Sequence, residues 1–135
     1  MDGLHLTADL YGCHCDARLL CDAPSLAALC TAAVDVAGLS RVHDSWVPFP
    51  GVGGQPGGVT GVVLLAESHL AIHTWPECGN VTLDVYVCNF SGDNSSKAQQ
   101  LLQALVDALA PQRCLRQQLL RGGMSATAPL VEIRG

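Results

Sequence analysis

From Val59 to Ala66 the chain is apolar at nearly every position, and no other stretch constrains the fold as much. Such a run is expected of a strand covered on both faces. Helices can take one face; the other needs a second subunit or another layer. The run leads directly into chemistry. Between Leu64 and Glu77, fourteen residues carry a serine (Ser68), two histidines (His69, His73) and two glutamates (Glu67, Glu77). Asn80 to Cys88 then alternates, with Val81, Leu83, Val85 and Val87 on one side and Thr82, Asp84, Tyr86 and Cys88 on the other.

The flanking segments supply the remaining layer. Residues 4 to 11 alternate as a half-buried strand, which sets His5 and Asp9 on one polar face. Pro24-Ser25 opens a helix with Ser25 as its N-cap; Leu26, Leu29, Cys30, Ala33, Val34 and Ala37 form its stripe, and Gly38 stops it. Leu39 to Phe49 reads as a strand, followed by a Gly- and Pro-rich loop over 50–58. Asp93-Asn94-Ser95 caps a second helix with a stripe of Ala98, Leu101, Leu102, Leu105, Val106 and Leu109, ended by Pro111. Arg113 to Leu120 is the last strand. The order β-α-β-β-β-β-α-β predicts an α+β fold, a two-layer sandwich of a mainly antiparallel sheet with two helices on one face. Residues 1–121 form the single domain, and 122–135 a loose tail.

Composition narrows the function. The formal charge of −5, with only seven Lys and Arg, speaks against a nucleic-acid binder. No apolar run approaches the ~18 residues of a membrane span, and Met1-Asp2-Gly3 does not open a signal peptide, so a cytoplasmic protein is expected. Seven cysteines, an odd number, argue against a closed disulfide framework. Cys13-His14-Cys15 lacks a second ligand pair at zinc spacing, and no metal is expected. A hydrophobic content of 49% with 14% charged residues is high for a small monomer and points to a partner subunit.

Glu67-Ser68-His69 followed by Ile72-His73-Thr74-Trp75-Pro76-Glu77 resembles the self-cleavage segment of the prokaryotic S-adenosylmethionine decarboxylase family, the pyruvoyl-dependent decarboxylases. Gly3 to Cys13 is similar to that family's opening segment. The resemblance covers residues 3 to 121 and is most specific from 58 to 88. It implies cleavage between Glu67 and Ser68 into a β chain, 1–67, and an α chain, 68–135, with Ser68 as precursor of a covalent pyruvoyl group. It further implies that His73 assists processing and that Cys88 protonates the decarboxylated intermediate. Thr60 stands where the family usually has a processing serine and keeps the hydroxyl. His69 is expected to line the cleavage turn. The family is described as homodimers of processed protomers, with sites near the subunit contact.

The residues are compatible with that chemistry. Decarboxylating an α-amino acid needs an electron sink, commonly pyridoxal phosphate on a lysine or a protein-bound pyruvoyl group. The one lysine, Lys97, falls at the solvent-facing start of the second predicted helix, outside any phosphate site, which disfavours pyridoxal phosphate. A serine can instead attack the preceding carbonyl to form an ester, which eliminates and hydrolyses to the pyruvoyl group. That step needs a base and oxyanion donors. On a straight strand Ser68 and His73 would face opposite ways, so the chain must bend at the scissile bond or place the serine at a turn. A free thiol is mostly protonated at neutral pH, as a proton donor must be.

Departures from the family concentrate at the substrate end, around Val47-Pro48-Phe49-Pro50 and Asn80 to Asn89. Phe49 and Trp46 are the nearest planes for an adenine ring, and Asp9, Glu77 and Asp84 are the acidic candidates for substrate contact. Three readings follow. The chain decarboxylates S-adenosylmethionine; it keeps the pyruvoyl machinery but takes ornithine or arginine; or it is a non-catalytic regulator that never cleaves itself.

Overall fold

The computed structural model describes residues 2–90 and 92–123. The predicted tail lies, from 124 onward, outside the described residues. Six strands and three helices follow in the order β1 (Gly3–Cys13), α1 (Arg18–Cys21), α2 (Ala23–Ala37), β2 (Arg41–Pro48), β3 (Val59–Leu65), β4 (Ser68–Trp75), β5 (Asn80–Cys88), α3 (Ser95–Leu109) and β6 (Pro111–Arg121). Every neighbouring pair in the sheet, ordered β2-β3-β4-β5-β1-β6, is antiparallel. The α+β fold with its two long helices on one sheet face is the one the sequence predicts.

The core lies between that face and the helices. Leu4, Leu6, Ala8 and Leu10 of β1 and Val81, Leu83, Val85 and Val87 of β5 meet Leu26, Cys30 and Val34 of α2 and Leu101, Leu102 and Leu105 of α3. The two predicted helical stripes are therefore the buried faces. Burial pushes the Cys30 thiol up to about 12, so it stays neutral and serves as a small apolar group. Thr74 is buried on the same side, where its hydroxyl donates to the Leu20 carbonyl at 2.7 Å and accepts from the Val59 N–H at 2.8 Å. This one side chain ties the short α1 turn to the sheet, and among the described residues no buried side-chain nitrogen or oxygen lacks a hydrogen-bond partner.

Several local expectations shift. Asp22, not Ser25, caps α2: its carboxylate accepts from the Ser25 N–H at 3.1 Å, and the helix begins at Ala23 with Pro24 in its first turn. An aspartate three residues before an available N–H makes the stronger cap. Pro111 follows the left-handed Ala110 that ends α3 and is itself the first residue of β6, an edge strand, where its missing N–H costs nothing. Among the described residues no layer covers the second face of β3: Thr60 and Val62 are half-buried and Leu64 is exposed.

Gly61 shows how tightly the β2 end is packed. Trp46 pairs across from it, and a Cβ at Gly61 would fall 2.0 Å from the indole ring. Gly61→Ala should therefore destabilise the chain by about 1–3 kcal/mol in urea unfolding, because the ring has to move. A midpoint equal to wild type would show that Trp46 does not sit on that face.

Candidate active site

The β3–β4 hairpin turns on only two residues, Ala66 and Glu67, with Leu65 and Ser68 as its closing pair. Glu67 takes up the left-handed conformation, φ 58°, which costs a residue with a Cβ roughly 1 kcal/mol or more. Strain is thus located on the residue whose carbonyl precedes Ser68. The serine sits at a turn, one of the two arrangements its chemistry demands.

Cys88 reaches this turn through the register of β4 against β5. His69 pairs with Tyr86, so two further places set Cys88 opposite Glu67. The Cys88 N–H donates to Ser68 Oγ at 3.0 Å, and Asn94 Nδ2 donates to the Cys88 carbonyl at 3.0 Å. The hydroxyl accepts from the backbone and keeps its own proton for a base. Cys88 itself is buried, although alternation sets it on the polar side of β5. Ser68, Glu67 and Cys88 line one cleft of about 560 Å³, closed by residues 38–40, Phe90, Asp93, Asn94 and Lys97. Lys97 is therefore half-buried at the cleft and not solvent-facing, because the first turn of α3 points its side chain back over Gly38, the C-cap of α2.

His73 and Thr60 lie elsewhere. They pair across β4 and β3, with Thr60 Oγ1 3.0 Å from His73 Nδ1, on the face of the sheet opposite the helices. Five residues of strand separate His73 from Ser68, about 16 Å, and the two side chains point to opposite faces. A single chain does not bring them together. Thr60 and His73 instead line a second cleft of about 460 Å³ with Phe49, Trp75, Glu77 and the 50–58 loop. Trp46 is not part of it: it packs toward the core on the helix side and donates from Nε1 to Asp44 at 2.6 Å.

Asp84 organises a third group on the open face. Its Oδ2 accepts from His5 Nε2 at 2.9 Å and from His69 Nε2 at 2.8 Å, and Tyr86 packs edge-on to His5. Among the described residues this is the one trio of His, Cys, Asp or Glu with ligand atoms within 4.8 Å of one another. Arg121 Nη1 donates to His5 Nδ1 at 3.1 Å, and a guanidinium can only donate. A neutral His5 therefore carries its proton on Nε2, toward Asp84, the reverse of what a metal there would need. The trio is a hydrogen-bonded brace behind His69. Asp9 lies beyond it, opposite Thr82 and Leu115.

A two-residue β3–β4 hairpin with a left-handed Glu67 before Ser68, and Cys88 across from it on β5, on a six-stranded antiparallel sheet backed by helices, defines an α+β class that comparison with known proteins places. The family model for S-adenosylmethionine decarboxylase matches residues 4–122. An S-adenosylmethionine decarboxylase proenzyme of Aquifex aeolicus is 43% identical over 120 residues, 89% of this chain and 81% of that protein. The proenzyme of Thermoplasma acidophilum is 38% identical over 122 residues, 90% of this chain and 85% of that one. The crystal structure of the adenosylmethionine decarboxylase from Aquifex aeolicus superposes with a TM-score of 0.78 at 39% identity, covering 95% of this chain and 97% of that chain. The chain belongs to the S-adenosylmethionine decarboxylase family.

Proposed function

We propose that this chain is a self-processing, pyruvoyl-dependent carboxy-lyase of polyamine biosynthesis that decarboxylates S-adenosylmethionine in the cytoplasm. The observation that carries the reading is the cleft in which a turn-borne Ser68, a left-handed Glu67 and a buried Cys88 come together within a member of this family. A pyruvoyl group at residue 68 would supply the electron sink that decarboxylation needs.

The chain's own residues then divide the work. The Cys88 N–H donates to Ser68 Oγ and restricts the hydroxyl next to the turn, which lowers the entropic part of the barrier. The Cys88 thiol is the proton donor at the same end of the cleft. Thr60 orients the His73 ring through Nδ1, and Nε2 is left to move a proton.

Because His73 lies five residues, about 16 Å, along β4 from its own Ser68 and on the opposite face, the reading requires a homodimer in which a second copy supplies that imidazole. The sheet face left open by the described residues supports this arrangement: Val62, Leu64, Ala71, Trp75, Leu115 and Leu119 present partly or fully exposed apolar surface there. His73 and Thr60 lie on that face, and Ser68 is the first residue of β4, at the turn, where a facing copy's imidazole would reach it around the end of the strand.

The second cleft favours the adenosyl substrate over a small aliphatic one. Phe49 and Trp75 offer planes for a purine, and Glu77 offers a carboxylate to hydroxyls or to a cation. Purified protein should release carbon dioxide from S-adenosylmethionine and not from L-ornithine or L-arginine. Release from a basic amino acid alone would move the assignment to the alternative substrate on the same machinery.

A further inference from the structure

The cleft that holds Ser68 contains one cationic side chain among its described lining residues, Lys97, and this is the only lysine in the chain. Its stem crosses from α3 to the end of α2, so that a Cβ added at Gly38 would come 3.8 Å from Lys97 Cε. Two carboxylates, Glu67 and Asp93, line the same cleft. Lys97 is committed to neither, for it belongs to no ion pair among the described residues. The Ser95 N–H donates to Asp93 at 2.9 Å and holds that carboxyl below the usual range, so it is charged at neutral pH.

Self-cleavage adds negative charge at this place. Ser68 Oγ bonds to the Glu67 carbonyl carbon as the peptide C–N bond breaks, and the freed amine takes up the hydroxyl proton. The Cα proton of residue 68 then passes to the processing imidazole, a Cα=Cβ double bond forms, and the Cβ–Oγ bond breaks. Its electron pair stays on the new α-carboxylate of Glu67. Water finally converts the resulting enamine, through its imine tautomer, to the ketone with loss of ammonia. The leaving group of the elimination is therefore a carboxylate, released beside two existing negative charges.

We propose that Lys97 is the counter-ion for the Glu67 α-carboxylate as it departs, and so promotes elimination from the ester. The inference rests on the self-cleavage reading above. An ammonium placed where charge develops in the transition state accelerates that step and leaves ester formation, which releases no carboxylate, largely untouched. The flexible four-carbon stem lets the same cation follow the freed chain end afterwards.

The test combines Lys97→Met and Lys97→Arg with hydroxylamine trapping of the purified full-length chain. Hydroxylamine cuts an ester between residues 67 and 68 to give a Glu67 hydroxamate and a fragment that begins with an unmodified serine. Lys97→Met should slow appearance of the ketone-terminated fragment on the order of tenfold or more and accumulate hydroxylamine-sensitive chain. Lys97→Arg, which keeps the charge, should restore processing. In a Ser68→Ala background Lys97→Met should leave the unfolding midpoint unchanged, as a purely structural lysine would not. Lys97→Met that processes at the wild-type rate, or stalls without a hydroxylamine-sensitive ester, overturns the inference and leaves self-cleavage standing. A wild-type chain that never cleaves removes both.

Discussion

Ser68→Ala is expected to leave one full-length polypeptide and no decarboxylase activity. The substitution removes the proposed nucleophile, Ser68 Oγ, which accepts from the Cys88 N–H at 3.0 Å. The cleft's other candidate nucleophiles, the Ser40 hydroxyl, the Cys88 thiol and the Lys97 amine, are not borne by the residue whose amide must be exchanged for an ester, so processing should fall by at least ~10³-fold. Folding should survive, since Ser68 is half-buried at a turn and alanine fits its strand position. Denaturing electrophoresis reads the result directly. Two fragments of similar size from the variant would place the nucleophile elsewhere.

Complementation between two inactive chains has the second large effect. Ser68→Ala lacks the nucleophile but keeps His73; His73→Ala keeps Ser68 but lacks the imidazole. Within one chain, strand β4 holds the two residues on opposite faces, five positions apart, and no side-chain rotation spans that gap. Each variant produced alone should remain uncut. Produced together, random pairing makes half the dimers mixed, and in each of those only the His73→Ala chain has a complete site, so roughly one chain in four should be cleaved. Cleavage of His73→Ala on its own, or none in the mixture, would contradict a site shared between copies.

Much of the fold could be read from periodicity. The stripes in α2 and α3 and the alternation of β1 and β5 record which side of each element is buried, and burial is what hydrophobic patterning encodes. Where the pattern is ambiguous, the sequence gives less. Val42 and Trp46 occupy one parity of β2 and Val47 and Phe49 the other, so nothing local tells which aromatic faces the core. The structure turns Trp46 inward against Gly61 and leaves Phe49 at the open cleft.

The site was legible only in part, for the same physical reason. Glu67-Ser68-His69 marks the β3–β4 turn and its candidate cleavage chemistry because those residues are adjacent in sequence. The His5–Asp84 contact joins residues 79 positions apart, and it depends on how β1 registers with β5, which alternation alone does not fix. A clue was present, since both residues fall on the polar side of their strands. Lys97 was hidden by a different effect: a charge in the first turn of an amphipathic helix usually faces solvent, and only the packing of α3 beside Gly38 turns it inward.

The most direct measurement is intact-mass spectrometry of the purified wild-type protein. The account predicts two polypeptides, one ending at Glu67 and one beginning at residue 68, the latter lighter than a serine-terminated fragment by one ammonia. Borohydride reduction should raise the mass of that second fragment by two hydrogens. A catalytically active preparation that consists only of unbroken chain, with no reducible carbonyl, would contradict it.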